Sequence, residues 1–279
     1  MLSENIKVYA EMVESCDALL IGAGAGMGTD SGLPDFRGKE GFWRAYPPLA
    51  KLGIRFEEMA NPSWFKKDPK LAWGFYGHRY NLYQKTKPHQ GYFIIRKWVN
   101  HFRIPSFVFT SNVDGHFNKA GWVDQVLECH GSLMNLQCTH SCGQPIWALS
   151  DHLTEDFDIC LDTLICKSPL PVCPNCGGLA RPNILMFSDF YWDRSNQLAQ
   201  ENNFQSWQIQ NCNNKLLIME LGAGLNVPTV RFFCEKIWRD FSSSMIRVNP
   251  HESTAPNGVH SIAKGALETV KLIDANLVT

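Results

Sequence analysis

Residues Leu19–Gly38, LLIGAGAGMGTDSGLPDFRG, set an apolar run against alternating glycines and alanines from Gly22 to Gly26, and close on a proline, acid, aromatic and arginine cluster. An apolar run of this length reads as a buried strand, and glycine directly after a strand lets backbone approach a ligand without a Cβ in the way. If a helix follows, its free N–H groups face any phosphate held there. The stretch therefore predicts a nucleotide cradle opening an α/β sheet. The dinucleotide fingerprint GxGxxG stays incomplete: begun at Gly22, Gly24 or Gly26, its last position is Met27, Thr29 or Ser31. The continuation SGLPDFRG must carry the specificity.

Strand-like apolar runs recur at Asp17–Ile21, Ser106–Thr110, Gln125–Glu128, Asn183–Phe187, Lys215–Leu221 and Met245–Val248, with helix-length segments between most of them. This alternation predicts a parallel sheet covered on both faces. Two stretches interrupt it. Residues 41–84 are rich in Trp, Tyr and Phe and read as a helical insertion broken at Pro47-Pro48 and Asn61-Pro62. Residues 137–180 carry clustered cysteines. A ligand cleft is expected between the strand ends and these insertions.

At 279 residues and 44% hydrophobic content, the chain can bury one large core, or a large and a small one. Its start has no basic flank leading into an apolar stretch, and nowhere do eighteen apolar residues run together. The expectation is a cytoplasmic protein with no membrane partner. A net charge of −1 gives no reason to expect specific nucleic-acid binding. Eleven Lys/Arg against three acids between Lys51 and Arg103, and the acidic stretch Asp151, Glu155, Asp156, Asp158, Asp162, read as solvated faces. The minority reading of the acidic stretch is a dock for a lysine-bearing partner.

Ten cysteines without a secretory signal call for something other than a disulfide framework. Cys138-x3-Cys142 and Cys173-x2-Cys176 can close a tetrahedral zinc shell, which would be structural because four sulfurs leave no open position. His140 between the first pair is an alternative ligand, and unbound thiols are the remaining reading. The other six cysteines read as small buried apolar residues.

Beyond the strands lie Thr110-Ser111-Asn112-Val113-Asp114-Gly115, Cys129-His130-Gly131-Ser132, Gly222-Ala223-Gly224-Leu225-Asn226 and Asn249-Pro250. Taken singly, each is as readily a turn or a satisfied structural residue. Together, at the carboxyl ends of strands, they form the rim on which open α/β sheets bind ligands.

With these residues the chain resembles the sirtuin (Sir2) family. GAGMGTDSGLPDFRG is similar to that family's GAG…SGIPDFRG loop, TSNVDGHFNKAG to its TQNID…AG segment, and ECHGSL to its HG segment; the four cysteines fall where its zinc ribbon falls. Order and spacing agree from about residue 17 to residue 250. The resemblance implies one catalytic domain: a Rossmann-like NAD-binding part (1–40, 85–136 and 181–279), the helical insertion (41–84) and a zinc-binding small domain (137–180). It also implies NAD consumed as a co-substrate, in protein-lysine deacylation of an acyl-lysine protein or, alternatively, in ADP-ribosyl transfer or NAD hydrolysis. Gly24, Ala25 and Gly26 would line the pyrophosphate loop. Asp35, Phe36 and Arg37 would lie near the nicotinamide ribose, Asn112 would contact ribose, Asp114 would hold the carboxamide, and His130 would be the general base. Gly222, Ala223, Gly224, Asn226 and Asn249 would approach the phosphate and adenine ribose. Phe36 and Phe187 are expected walls of the lysine tunnel. The sequence departs from the family at Ser111, where TQN has Gln; at Phe187-Ser188-Asp189, where it has FGE; and at Gly222-Ala223-Gly224, where it has GTS.

Overall fold

All six residues of β1 (Ala18–Ala23) are buried, because the strand lies in the middle of a sheet covered on both sides. In this computed structural model, which describes residues 2–34, 39–153 and 155–278, the remaining strands are β2 (Ser106–Thr110), β3 (Val126–Glu128), β4 (Gly131–Cys138), β5 (Trp147–Ala148), β6 (Ile159–Cys160), β7 (Ile165–Cys166), β8 (Ala180–Ile184), β9 (Leu216–Leu221), β10 (Ser244–Val248) and β11 (His260–Ile262). Six of them form one parallel sheet in the order β11-β10-β9-β1-β2-β3. In sheet numbering this is 3-2-1-4-5-6 read from the β3 edge, the doubly wound Rossmann order.

The strand period of two sorts side chains into two cores. Leu19 and Ile21 join Val108, Leu217, Met219 and Ile246 beneath helices Leu2–Ser15, Gln90–Phe102 and Ala266–Asp274. Leu20 joins Phe107, Ile218 and Met245 beneath helices Ser195–Asn211 and Thr229–Asp240. Within the sheet, Arg247 pairs in register with Glu220 through two hydrogen bonds of 2.5 and 2.9 Å, and reaches Glu235 at 2.8 Å. Such a bidentate pair fixes β10 against β9 and keeps the buried guanidinium satisfied.

The two interrupting stretches share a single hydrophobic core. Phe42, Tyr46, Trp73 and Phe75 from the first pack with Leu149, Phe157, Leu164 and Cys166 from the second. Helix Pro69–Lys85 starts cleanly, with Asp68 accepting from Leu71 N–H at 3.0 Å and Pro69 at its first position. The β6–β7 hairpin lies directly on this helix at Gly74, where a Cβ would sit 1.7 Å from the Leu164 carbonyl oxygen. Every acid from Asp151 to Asp162 is exposed, and Asp156 pairs with Lys85 at 2.5 Å, as a solvated face requires.

One strand expectation is corrected. The run Asn183–Phe187 does not enter the parallel sheet; the strand formed is β8, ending at Ile184 and antiparallel to β4 in the sheet β5-β4-β8. A short apolar run signals burial but not which strand it pairs with. The β11 edge strand, with two of three residues exposed, had no apolar signal to find. Among the described residues no helix is long and apolar enough to cross a membrane.

Candidate nucleotide cleft

Strands β1 and β9 are neighbours, but the chain leaves them in opposite directions, toward β2 and β10. The loops beyond their carboxyl ends therefore part, and a crevice opens at this switch point. The two loops meet at its floor. A Cβ on Gly26 would lie 2.8 Å from Gly222 Cα, and one on Gly24 2.6 Å from the Gly222 carbonyl oxygen. Gly222 itself has φ of 62°, which only glycine adopts without cost. These glycines are demanded first by the protein's own packing.

Side chains then pin the rim. Asn112 donates to the Gly24 carbonyl at 2.9 Å, and Thr110 to the Ala23 carbonyl at 2.9 Å. Asn249 and Arg231 both donate to the Ala223 carbonyl at 3.0 Å. Asp114, 6% exposed, accepts from His116 N–H at 2.9 Å, which fixes its carboxylate toward Gly28. His130 follows β3; its carbonyl accepts from Leu185 N–H at 2.9 Å, and its Nε2 stands 3.5 Å from Thr229 Oγ.

Around these groups lies a cleft of about 210 Å³, open to solvent. Ala25, Ser111, Asn112, Asp114, His130 and Phe187 all line it. Gly24, Gly26, Gly222, Ala223, Gly224 and Asn249 stand at the crevice floor and beside it, while Asn226 is exposed on the loop after β9. Asp35, Phe36 and Arg37 lie outside the described residues. Phe187 is positioned from two sides: its N–H donates to the Ala60 carbonyl at 2.9 Å, and its ring meets Phe56 edge-on at 6.1 Å. The loop that carries it is locked by a buried bidentate pair, Arg181 to Asp189, at 2.7 and 3.0 Å.

Sequence reasoning missed the opposite wall. Tyr76, Arg79 and Tyr83 line the cleft from helix Pro69–Lys85. Arg79, 7% exposed, donates twice to the Tyr83 hydroxyl, at 2.6 and 3.1 Å, whereas the Tyr76 hydroxyl is buried with no hydrogen-bond partner among the described residues. The available signal was the single charge at helical spacing, i and i+3 and i+7, within an aromatic segment.

The cysteine spacing is answered by geometry. The sulfurs of Cys138, Cys142, Cys173 and Cys176 all lie within 4.8 Å of one another, with Cys138–Cys176 at 3.6 Å and Cys142–Cys173 at 3.5 Å. A tetrahedral shell with Zn–S bonds of about 2.3 Å has edges of about 3.8 Å, so this set fits zinc. The Gln144 backbone N–H, with the Asn175 amide, pulls the Cys142 thiol down to about 6, toward the ligating thiolate. His140 stands beside the four sulfurs, its Nδ1 4.0 Å from Cys176 Sγ, and is not one of the set.

The chain is similar to known proteins. The NAD-dependent protein deacylase of Leptospira interrogans is 29% identical over 265 residues, covering 95% of this chain and 93% of its own. That of Pyrococcus furiosus is 35% identical over 189 residues, covering 68% and 66%. A crystal structure of a Sir2 homolog–NAD complex superposes with a TM-score of 0.70 at 23% identity, over 96% of this chain and 93% of that one. The Sir2 family model matches residues 24–229, from the glycine loop through the cysteine cluster to the start of the helix after β9. On that match and that fold, the chain belongs to the Sir2 family.

Proposed function

We propose that this protein is an NAD-dependent protein-lysine deacylase, acting in the cytoplasm, in which His130 is the general base and Asn112 and Asp114 orient the nicotinamide ribose. The carrying observation is convergence: groups from the ends of β1, β2 and β3 line one cleft whose opposite wall is largely aromatic and carries Arg79. NAD supplies an anomeric carbon that becomes electrophilic as nicotinamide departs. The chain's part is to bind, orient and exclude water. Asp114 is placed to accept from a carboxamide N–H, Asn112 and Ser111 to meet ribose hydroxyls, and the His130 imidazole to take a hydroxyl proton. Gly24–Gly26, Gly222–Gly224, Asn226 and Asn249 are assigned to the phosphates and adenine ribose, and Asp35–Arg37 to the segment over the nicotinamide ribose.

Phe187 and Phe56 would flank the lysine stem, since attack by the substrate's amide oxygen requires a dry tunnel. Arg79 in the wall favours acyl groups that end in an anion. Ten thiols without a disulfide support a reducing compartment.

The test incubates purified protein with NAD, alone and with peptides carrying acetyl-lysine or an acid-terminated acyl-lysine, and measures nicotinamide and product mass. Nicotinamide released only with acyl peptide, together with an acylated ADP-ribose, supports deacylation. Release without peptide assigns the cleft to NAD hydrolysis or ADP-ribosyl transfer instead. His130→Ala should abolish turnover; an undiminished rate refutes its role.

A further inference from the structure

The turn that carries His130 is closed from below by a group to which the reaction assigns no role. Glu128 ends β3, is 5% exposed, and belongs to no ion pair among the described residues. The Ser132 hydroxyl, four residues on, interacts with its carboxyl group, so the two side chains face each other across Cys129-His130-Gly131. Gln200, on helix Ser195–Asn211, grips the same residue twice. Its amide oxygen accepts Glu128 N–H at 2.9 Å, and its amide nitrogen donates to Oε2 at 3.5 Å. The turn has little freedom otherwise. Cys129 N–H donates to the Thr110 carbonyl at 2.9 Å, and Gly131, at φ of 73°, passes so close to the Asn183 carbonyl that a Cβ would lie 2.2 Å from it.

A carboxylate buried without a cation is costly, and an apolar or amide residue would be cheaper for stability alone. We propose that Glu128 is a positioning residue: by joining Ser132 across the turn and Gln200 across the helix interface, it holds the His130 ring at the ribose end of the cleft. This inference rests on the deacylase reading for its kinetics but not for its geometry. Burial, with the Asp114 carboxylate adding to it, pushes the Glu128 carboxyl up to about 7. That agrees with a hydrogen-bonding role rather than a charge-pairing one. The charged group acting on it is Asp114, from the loop after β2. A glutamine at 128 would keep an acceptor oxygen for Ser132 and Gln200; an alanine would keep none.

The experiment compares Glu128→Ala, Glu128→Gln and Gln200→Ala, each first shown to be folded by circular dichroism and thermal melting. In Glu128→Ala, kcat should fall at least tenfold while KM for NAD stays within threefold, because the nucleotide's own contacts lie elsewhere on the rim. Gln200→Ala should move the same parameter less, and Glu128→Gln should recover kcat to within threefold of the parent. In parallel, the His130 ring protons are followed by NMR in parent and variants without NAD. Glu128→Ala should shift or broaden them, and Glu128→Gln should leave them in place. A folded Glu128→Ala with kcat within twofold of the parent and an unmoved His130 resonance overturns the proposal. So does a Glu128→Gln as impaired as Glu128→Ala, since the charge would then matter and not the bridge. A parent protein that releases no nicotinamide sinks the deacylase reading alone, and the NMR comparison still decides this one.

Discussion

On the sheet side of the cleft, Gly24 and Gly26 meet Gly222 backbone to backbone, and buried amides and guanidinium groups close over their carbonyls. On the opposite side, the wall is made of side chains, Tyr76, Arg79, Tyr83 and Phe56, held by an aromatic core shared with the segment that carries the four cysteines. The sheet rim is shaped by main chain, so its form survives most changes of side chain but tolerates almost no added Cβ. The aromatic wall is shaped by residue identity, so it can vary in what it accepts, but it adjoins a segment whose four cysteines fit zinc and whose sheet is too small to stand alone. One side suits a ligand part that never changes, and the other a ligand part that does.

The largest way to break this contrast is to remove the metal. Chelation, or Cys173→Ser, should abolish zinc binding and melt the aromatic lobe, with a loss of near-ultraviolet circular dichroism while most of the helix signal of the sheet body remains. A variant that still carries one zinc per chain and melts as the parent does would remove the distinction.

Next come the two glycines that test backbone approach on each side. Gly222→Ala adds a Cβ at positive φ, 2.3 Å from Met27 N–H, and Gly74→Ala adds one 1.7 Å from the Leu164 carbonyl. Each should cost about 2–4 kcal/mol in urea unfolding. Only Gly222→Ala should also weaken NAD binding in a titration.

A smaller effect belongs to Glu128. Its folded-state pKa of about 7 lies above the ordinary 4.5, so the folded protein holds a proton that the unfolded chain has released. Stability from this group is therefore greatest below pH 4.5 and is lost as pH rises to 7, with no further change above. Glu128→Gln should melt higher than the parent at pH 8 and near it at pH 5. Equal differences at both pH values would contradict the assignment.

The smallest effect is at Ser188, on the loop beside Phe187, which holds φ of 57° with a side chain. Ser188→Gly should stabilise by about 1 kcal/mol in the same unfolding assay. A loss of stability would mean that the hydroxyl is used.

Much of the sheet rim was readable in one dimension. β1, β2, β3, β9 and β10 are short apolar runs, and the glycine, asparagine or serine residues just past them are local chemistry at a strand end. The cysteine cluster was readable for the same reason: tight spacing restricts where four sulfurs can go. The aromatic wall was not. Tyr76, Arg79 and Tyr83 look like packing residues until the β6–β7 hairpin and the loop after β8 are brought against their helix. Nor was the destiny of Asn183–Phe187, which shares its apolarity with the sheet strands but pairs with β4.

The order of amino acids alone was enough for the strands, the glycine turns and the four-sulfur set, since each depends on neighbours a few residues away or on a repeated period. Which loops touch, that Gly26 must yield to Gly222, that an arginine faces the cleft, and that Glu128 finds Gln200 all required the chain to close on itself. Those contacts join residues far apart in sequence, and their strength comes from shape and from the exclusion of water, neither of which a linear pattern records.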